Sequence, residues 1–241
     1  MGLFGTRTKH RVPTGFHFGR DLAHEEHRGW RKLVLVRHGQ TDYNVRHVHQ
    51  GHIPGIPLNA EGHREAHATA AAIRALPLTT IVASPLQRTL ETAAHINEGR
   101  GLSIVQDADL IEVDFGPYAG QCWDELDVRP GAWTRFVSDP RYAPKGVESF
   151  ERVQRRAVRA TERWRQAPDA GEWVALVTHS DLVKLIILHY IGMPLDNEPR
   201  LNMDNASVSV LACPPDPRQH PTLLSFNWTS PALWLPAAIK A

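Results

Sequence analysis

The chain has 241 residues, 42% of them apolar and 22% charged, enough for one sizeable domain with a full core and a modest appendage. Its formal net charge of +1 provides no overall field toward nucleic acid or anionic lipid, so any attraction for an anionic ligand has to be local. Two cysteines far apart in sequence, Cys122 and Cys213, make neither a disulfide framework nor a zinc-site spacing, and no apolar run is long enough to cross a bilayer.

The first residues lack the apolar stretch of a secretory signal, so a reducing, cytoplasmic setting is expected. Met1-Gly2-Leu3-Phe4-Gly5-Thr6 formally matches an N-myristoylation pattern, a short match that arises by chance and is set aside. Residues 1–31, rich in Gly, His and Arg without helical or strand period, read as a flexible N-terminal extension ahead of a domain spanning 32–241. The pattern then changes. Lys32-Leu33-Val34-Leu35-Val36 is an apolar, β-branched run of the kind buried in a parallel sheet. Asn59 caps an Ala-rich helix expected to reach about Leu76, and Thr79-Thr80-Ile81-Val82-Ala83 is a second strand. Ser84-Pro85 predicts an N-cap and first helical position for a helix ending near Asn97. Ser103-Val105 is a further strand candidate, and Glu148 to about Gln166 is an amphipathic helix. Trp173-Val174-Ala175-Leu176-Val177 is another buried run, followed by an apolar helix from Asp181 to about Ile191 that stops before Gly192 and Pro194. Ser207-Leu211 and Leu223-Phe226 complete the strand candidates. This alternation predicts an α/β fold, a three-layer α/β/α sandwich on a mostly parallel central sheet.

In such folds ligands sit beyond the carboxyl ends of the strands. The three strongest strands lead into Arg37-His38-Gly39-Gln40-Thr41, Ser84-Pro85-Leu86-Gln87-Arg88-Thr89 and Thr178-His179-Ser180. Two guanidinium groups, two imidazoles and a helix N-terminus therefore open on one sheet edge, and a phosphate dianion is the fitting occupant. Any one of these residues alone is commonplace. Their coincidence at equivalent turns is not.

Arg37-His38-Gly39-Gln40-Thr41 with Asn44 resembles the signature of the histidine phosphatase superfamily, the phosphoglycerate mutase-like fold. The resemblance continues through Gln50-Gly51, Pro57-Leu58, Gly62, Ser84 to Ala93, Leu110 to Gly116, Gly146 to Phe150, Thr178-His179 and Asn205 to Val208, covering about residues 32–212. Within the superfamily it is similar to the bacterial probable phosphomutase and broad-specificity phosphatase branch. The resemblance implies a phosphomonoester hydrolase with His38 as nucleophile and Glu112 as general acid and base, Asp114 being the nearest rival. It implies that Arg37, Arg88 and His179 bind the phosphoryl oxygens, with Gly39, Asn44, Gln50, Gly51 and Ser180 around the substrate. Ser180 stands where the family usually has glycine, narrowing the space beside the phosphate, and Gly55-Ile56-Pro57-Leu58 lacks the family's frequent acidic residue before the Pro-Leu pair.

No metal or cofactor is implied, since arginines do the work of a magnesium ion. His24-Glu25-Glu26-His27 has neither HExxH nor HxxEH spacing, while His47, His49 and His52 are dense enough for adventitious nickel or zinc but read as loop residues at the pocket mouth. A mutase needs a substrate-gripping arginine pair. Between Pro117 and Gly146 the cations Arg129, Arg135, Arg141 and Lys145 are instead dispersed among Trp123, Trp133, Phe136 and Tyr142, and the adjacent pair Arg155-Arg156 reads as a solvated helix face. Hydrolysis of a phosphorylated small molecule is thus favoured, with a phosphoglycerate mutase-type phosphotransferase or a non-catalytic phospholigand-binding protein as alternatives. Physiological substrate and oligomeric state are left open.

Overall fold

A computed structural model describes residues 27–127 and 131–230. The N-terminal segment as far as residue 26, with its myristoylation-like start and His24-Glu25-Glu26, and Arg129 lie outside the described residues. Six strands form one sheet: β1 (Arg31–Arg37), β2 (Thr80–Ala83), β3 (Ile104–Gln106), β4 (Trp173–Thr178), β5 (Val208–Cys213) and β6 (Thr222–Trp228), in the order β3-β2-β4-β1-β5-β6. The first four run parallel, and β5 and β6 close one side antiparallel. The mostly parallel sheet is as expected.

The helices are α1 (Asp42–Val45), α2 (Ala60–Ala72), α3 (Gln87–Asn97), α4 (Trp123–Asp127), α5 (Ala132–Ser138), α6 (Phe150–Gln166) and α7 (Ser180–Tyr190). Strand side chains alternate between faces. Leu33, Leu35, Val174 and Leu176 join one core with Val153, Ala157, Leu182 and Ile186 of α6 and α7. Val34, Val36, Ala175 and Val177 join the other with Ala70, Ile73, Ala93 and Ile96 from α2, its C-cap and α3. Both faces of β1 and β4 are dry, which is why their sequences run apolar without alternation. Among the described residues no helix is long and apolar enough to cross a membrane.

Boundaries differ from the sequence expectation where local chemistry intervenes. The Ala-rich helix stops at Ala72 rather than Leu76, because Leu76 precedes Pro77 and a residue before proline avoids helical backbone. Helix α3 begins at Gln87 with Leu86 as N-cap, not at Ser84. Helix α6 begins two residues later than Glu148, where the Ser149 hydroxyl accepts from the Arg152 N–H.

Strand register sets the site. Arg37 pairs with Thr178, and Ala83 pairs with Val177, so β1, β2 and β4 end almost level. His38, Ser84 and His179 are the next residues out. The loop after β1 is then stitched to the start of α2. Asn59 caps Gly62 (2.9 Å), its N–H donates to the Gln40 carbonyl (3.0 Å), and the Gln40 N–H donates to Glu65 Oε2 (2.7 Å). Here two glycines meet backbone to backbone: a Cβ on Gly62 would lie 2.0 Å from the Gln40 carbonyl oxygen, and one on Gly39 2.5 Å from that of Gly62. The substitution Gly62→Ala must push the helix off the loop. It is expected to lower stability by about 3 kcal/mol in a urea melt, as overpacking against backbone does.

Candidate active site

His38 is 2% exposed, and its backbone is held on every side: its N–H donates to the Thr178 carbonyl (3.0 Å), and its carbonyl accepts from the Ala206 N–H (3.1 Å) and Asn205 Nδ2 (3.3 Å). Its Nδ1 lies 2.7 Å from the Gly39 carbonyl. A carbonyl only accepts, so Nδ1 carries the proton and Nε2 keeps its lone pair. Burial, then the Arg88 and Arg37 guanidinium groups, hold the imidazole well below its ordinary pKa, keeping it neutral.

Arg88 is fully buried, with Nη2 donating to the Gly51 carbonyl (3.1 Å) while Nε and Nη1 have no partner. Burial pushes its pKa down to about 10, against the pull of Glu112. Arg37 donates through Nη1 to the Met203 carbonyl and leaves Nε unpartnered; its pKa is lowered by burial and drawn back by Glu112 and Asp181. His179 packs edge-on to His38 with ring centroids 5.3 Å apart. Its Nε2 lies 2.9 Å from Ser84 Oγ, and its Nδ1 has no hydrogen bond, standing 3.5 Å from Glu112 Oε2. A Ser84 hydroxyl that donates to Nε2 would leave Nδ1 as the protonated, free donor. Ser84, expected as a helix cap, instead hydrogen-bonds the His179 ring. Its hydroxyl type was legible in the sequence, but its target was not.

Glu112 is 8% exposed. Burial, then the Asp181 carboxylate, push its pKa up to about 7, while Arg88 and the Val113 N–H on Oε1 (3.0 Å) oppose the rise. Its segment is clamped by Arg156, which the sequence reading placed on a solvated face. The Arg156 side chain is 11% exposed. It donates to the carbonyls of Asp109 (2.9 Å), Ile111 and Glu112 (2.7 Å), and pairs with Glu148 (2.9 Å). Only Arg155 behaves as a surface residue, pairing with Glu151. The rival Asp114 accepts the Gly116 N–H (2.9 Å) in a turn, away from the residues that line the cavity.

The remaining candidates divide. Asn44, Gln50 and Ser180 line a cavity of about 400 Å³ that opens before His38, and Gln50 Oε1 is buried without a partner. Gly39 and Gly51 serve through their carbonyls, which orient His38 and Arg88; the Gly39 N–H is already taken by Thr92 Oγ1 (3.1 Å). The three loop histidines do not converge. His47 stacks on Trp123, His49 is packed between Phe115 and Trp133 with its pKa lowered by burial to about 4, and His52 donates to the Glu112 carbonyl (2.7 Å).

Two groups among the described residues are close enough to ligate a cation: His38, Glu112 and His179 in the site, and His67, His95 and Glu98 on the surface of α2 and α3. The first fits a metal poorly, because Arg88 and Arg37 already crowd it with positive charge. An anion fits it well. In the free protein Arg88 is buried with only one of its three nitrogens hydrogen-bonded, which carries a desolvation cost. Arg88→Met should therefore melt at or above the wild-type temperature without ligand, while losing the upward shift that saturating inorganic phosphate gives the wild type. Differential scanning calorimetry reads both.

Residues 33–229 match the family described as the histidine phosphatase superfamily (branch 1). A Mycobacterium tuberculosis protein named a bifunctional protein is 34% identical over 182 residues, covering 74% of this chain but 49% of the relative, so the chain spans about half of its length. A probable phosphoglycerate mutase of Klebsiella pneumoniae is 33% identical over 198 residues, covering 80% of this chain and 88% of the relative. A solved mycobacterial glucosyl-3-phosphoglycerate phosphatase, in complex with VO3, is 32% identical with a TM-score of 0.74, covering 83% of this chain and 100% of that one. The chain belongs to the histidine phosphatase superfamily.

Proposed function

We propose that the chain hydrolyses phosphate monoesters through a phosphohistidine on His38, without a metal ion. The observation that carries this reading is a neutral imidazole, its Nε2 lone pair free, beside guanidinium nitrogens that have no partner of their own. In the first step Nε2 attacks phosphorus, and the ester oxygen leaves with the proton of Glu112. Arg37, Arg88 and Nδ1–H of His179 hold the three non-bridging oxygens, and positioning with charge stabilisation is what phosphoryl transfer mainly requires. The Gly39 carbonyl, bonded to Nδ1–H, steadies the positive charge that the ring gains. In the second step the Glu112 carboxylate takes a proton from water, which attacks the phosphohistidine, releasing phosphate and restoring both groups. Asn44 and Gln50 border the phosphoryl end, with Asn44 Oδ1 committed to the Thr41 N–H (3.0 Å) and its amide nitrogen left to donate. Arg156 acts at one remove, fixing where the Glu112 carboxyl stands.

Brief mixing with a radiolabelled phosphomonoester in EDTA, quenched in base, should leave label on the wild-type protein and none on His38→Ala. The same mixture should release phosphate rather than interconvert phosphoglycerates; interconversion with a bisphosphate primer would establish a mutase instead. For an alkyl phosphate, kcat/KM should fall with rising pH above about 7, where free Glu112 loses the proton it must give. Glu112→Gln should remove that limb and lower kcat/KM by about 10²–10³, with a smaller loss for the good leaving group p-nitrophenol.

A further inference from the structure

The cavity of about 400 Å³ before His38 has room for a group well beyond the phosphoryl. One wall is aromatic, built from Phe115, Trp123, Trp133 and Phe136. The other comes from α7 and the turn that follows it, with Asp181, Lys184 and Glu198. Lys184 Nζ donates to Glu198 Oε1 at 2.9 Å, and the two side chains are only 14% and 8% exposed. That lysine is already neutralised. Asp181 makes no ion pair within the cavity lining, though it acts on Arg37 at longer range, and its charge reaches both neighbouring carboxyls, raising Glu112 and Glu198 after the larger effect of burial. Once Arg37 faces the phosphoryl dianion, the described lining beyond it offers the Lys184–Glu198 ion pair and the Asp181 carboxylate.

We infer that this outer half is a leaving-group subsite for an uncharged, hydroxyl-rich group, so that the substrate is a sugar or polyol monophosphate without a second anionic substituent. Hydroxyls donate to carboxylates, which only accept, while the C–H face of a sugar ring packs on aromatic rings. A second phosphate or a carboxylate would meet Asp181, with Lys184 already tied to Glu198 and no other cation besides Arg37 in the described lining. Like charges a few ångströms apart at a partly solvated site disfavour binding by about tenfold or more. The inference rests on the phosphomonoesterase reading, but binding alone can test it.

Glucose 6-phosphate and 6-phosphogluconate differ chiefly in a ring or a terminal carboxylate. The wild-type kcat/KM should favour glucose 6-phosphate by about tenfold or more, and calorimetric titration of the His38→Ala protein should show the same preference in Kd. Glu198→Gln frees Lys184 and should bring the ratio toward one, mainly by lowering KM for the gluconate. Circular dichroism melts confirm that this variant is folded, and Lys184→Gln, which cannot offer a cation, should leave the gluconate disfavoured. Preference in binding without turnover would sink the catalytic reading and keep the subsite. Equal or tighter binding of the gluconate by the wild type, binding of neither ligand, or a ratio unmoved in folded Glu198→Gln would overturn the subsite.

Discussion

Everything in this molecule is arranged around positive charge that the protein declines to neutralise. Burying a guanidinium in protein costs several kcal/mol unless its donors are satisfied. Arg88 keeps two nitrogens without a partner, Arg37 keeps one, and His179 Nδ1 makes a third point of the same hollow. A fold selected only for stability would have paired them with carboxylates, as it pairs Arg163 with Asp107 and Asp109, and Arg156 with Glu148. The contrast between saturated arginines outside the site and unsaturated ones inside it marks the site as a place made for an anion. It also explains why a cation would not settle on His38, Glu112 and His179 despite their spacing.

Holding such a hollow open requires a frame that does not relax, and the frame is mostly backbone. Level strand ends place His38, Ser84 and His179 side by side. The helix–loop contact at Gly39 and Gly62 fixes the first of these from behind, and Asn205 and Ala206 fix it from the antiparallel side of the sheet. Glu112 sits on no regular element, so its position depends on side chains that reach in from elsewhere: Arg156 from α6, His52 from the loop after α1, and Thr178 Oγ1, which donates to the Leu110 carbonyl (2.7 Å). Three distant parts of the chain thereby fix the backbone that carries this carboxyl.

This division also decides what could be read from the sequence. The strands were legible because burial on both faces writes an unbroken apolar run, and the three turns were legible because each follows such a run directly. The residues that follow those runs, His38, Arg88 at the start of α3 and His179, come together in the structure as expected. What was not legible is where a long side chain goes. Arg156 looks like its exposed neighbour Arg155 until α6 is seen packed beside the 109–112 segment, and Ser84 looks like a helix cap until His179 is seen beside it. The short helices α4 and α5, which carry Trp123 and Trp133, have no period long enough to announce them.

The two titrations at the centre depend on each other through that geometry. In the proposed mechanism His38 has to be neutral to attack and Glu112 protonated to release the leaving group, so both states are needed at one pH. A single environment, low in dielectric and rich in guanidinium charge, would depress both groups if charge alone acted. Burial breaks the symmetry: it disfavours the charged form of each, lowering the imidazole and raising the carboxyl. The arginines then add to the effect on His38 and oppose it on Glu112, where Asp181 supplies the compensating push. Asp181 thus stands at a junction, adding to the effect of burial on Glu112 on one side and placing negative charge in the outer cavity on the other. Under the proposed mechanism and subsite, proton management and substrate choice would not be separable, since one carboxylate at the start of α7 would serve both.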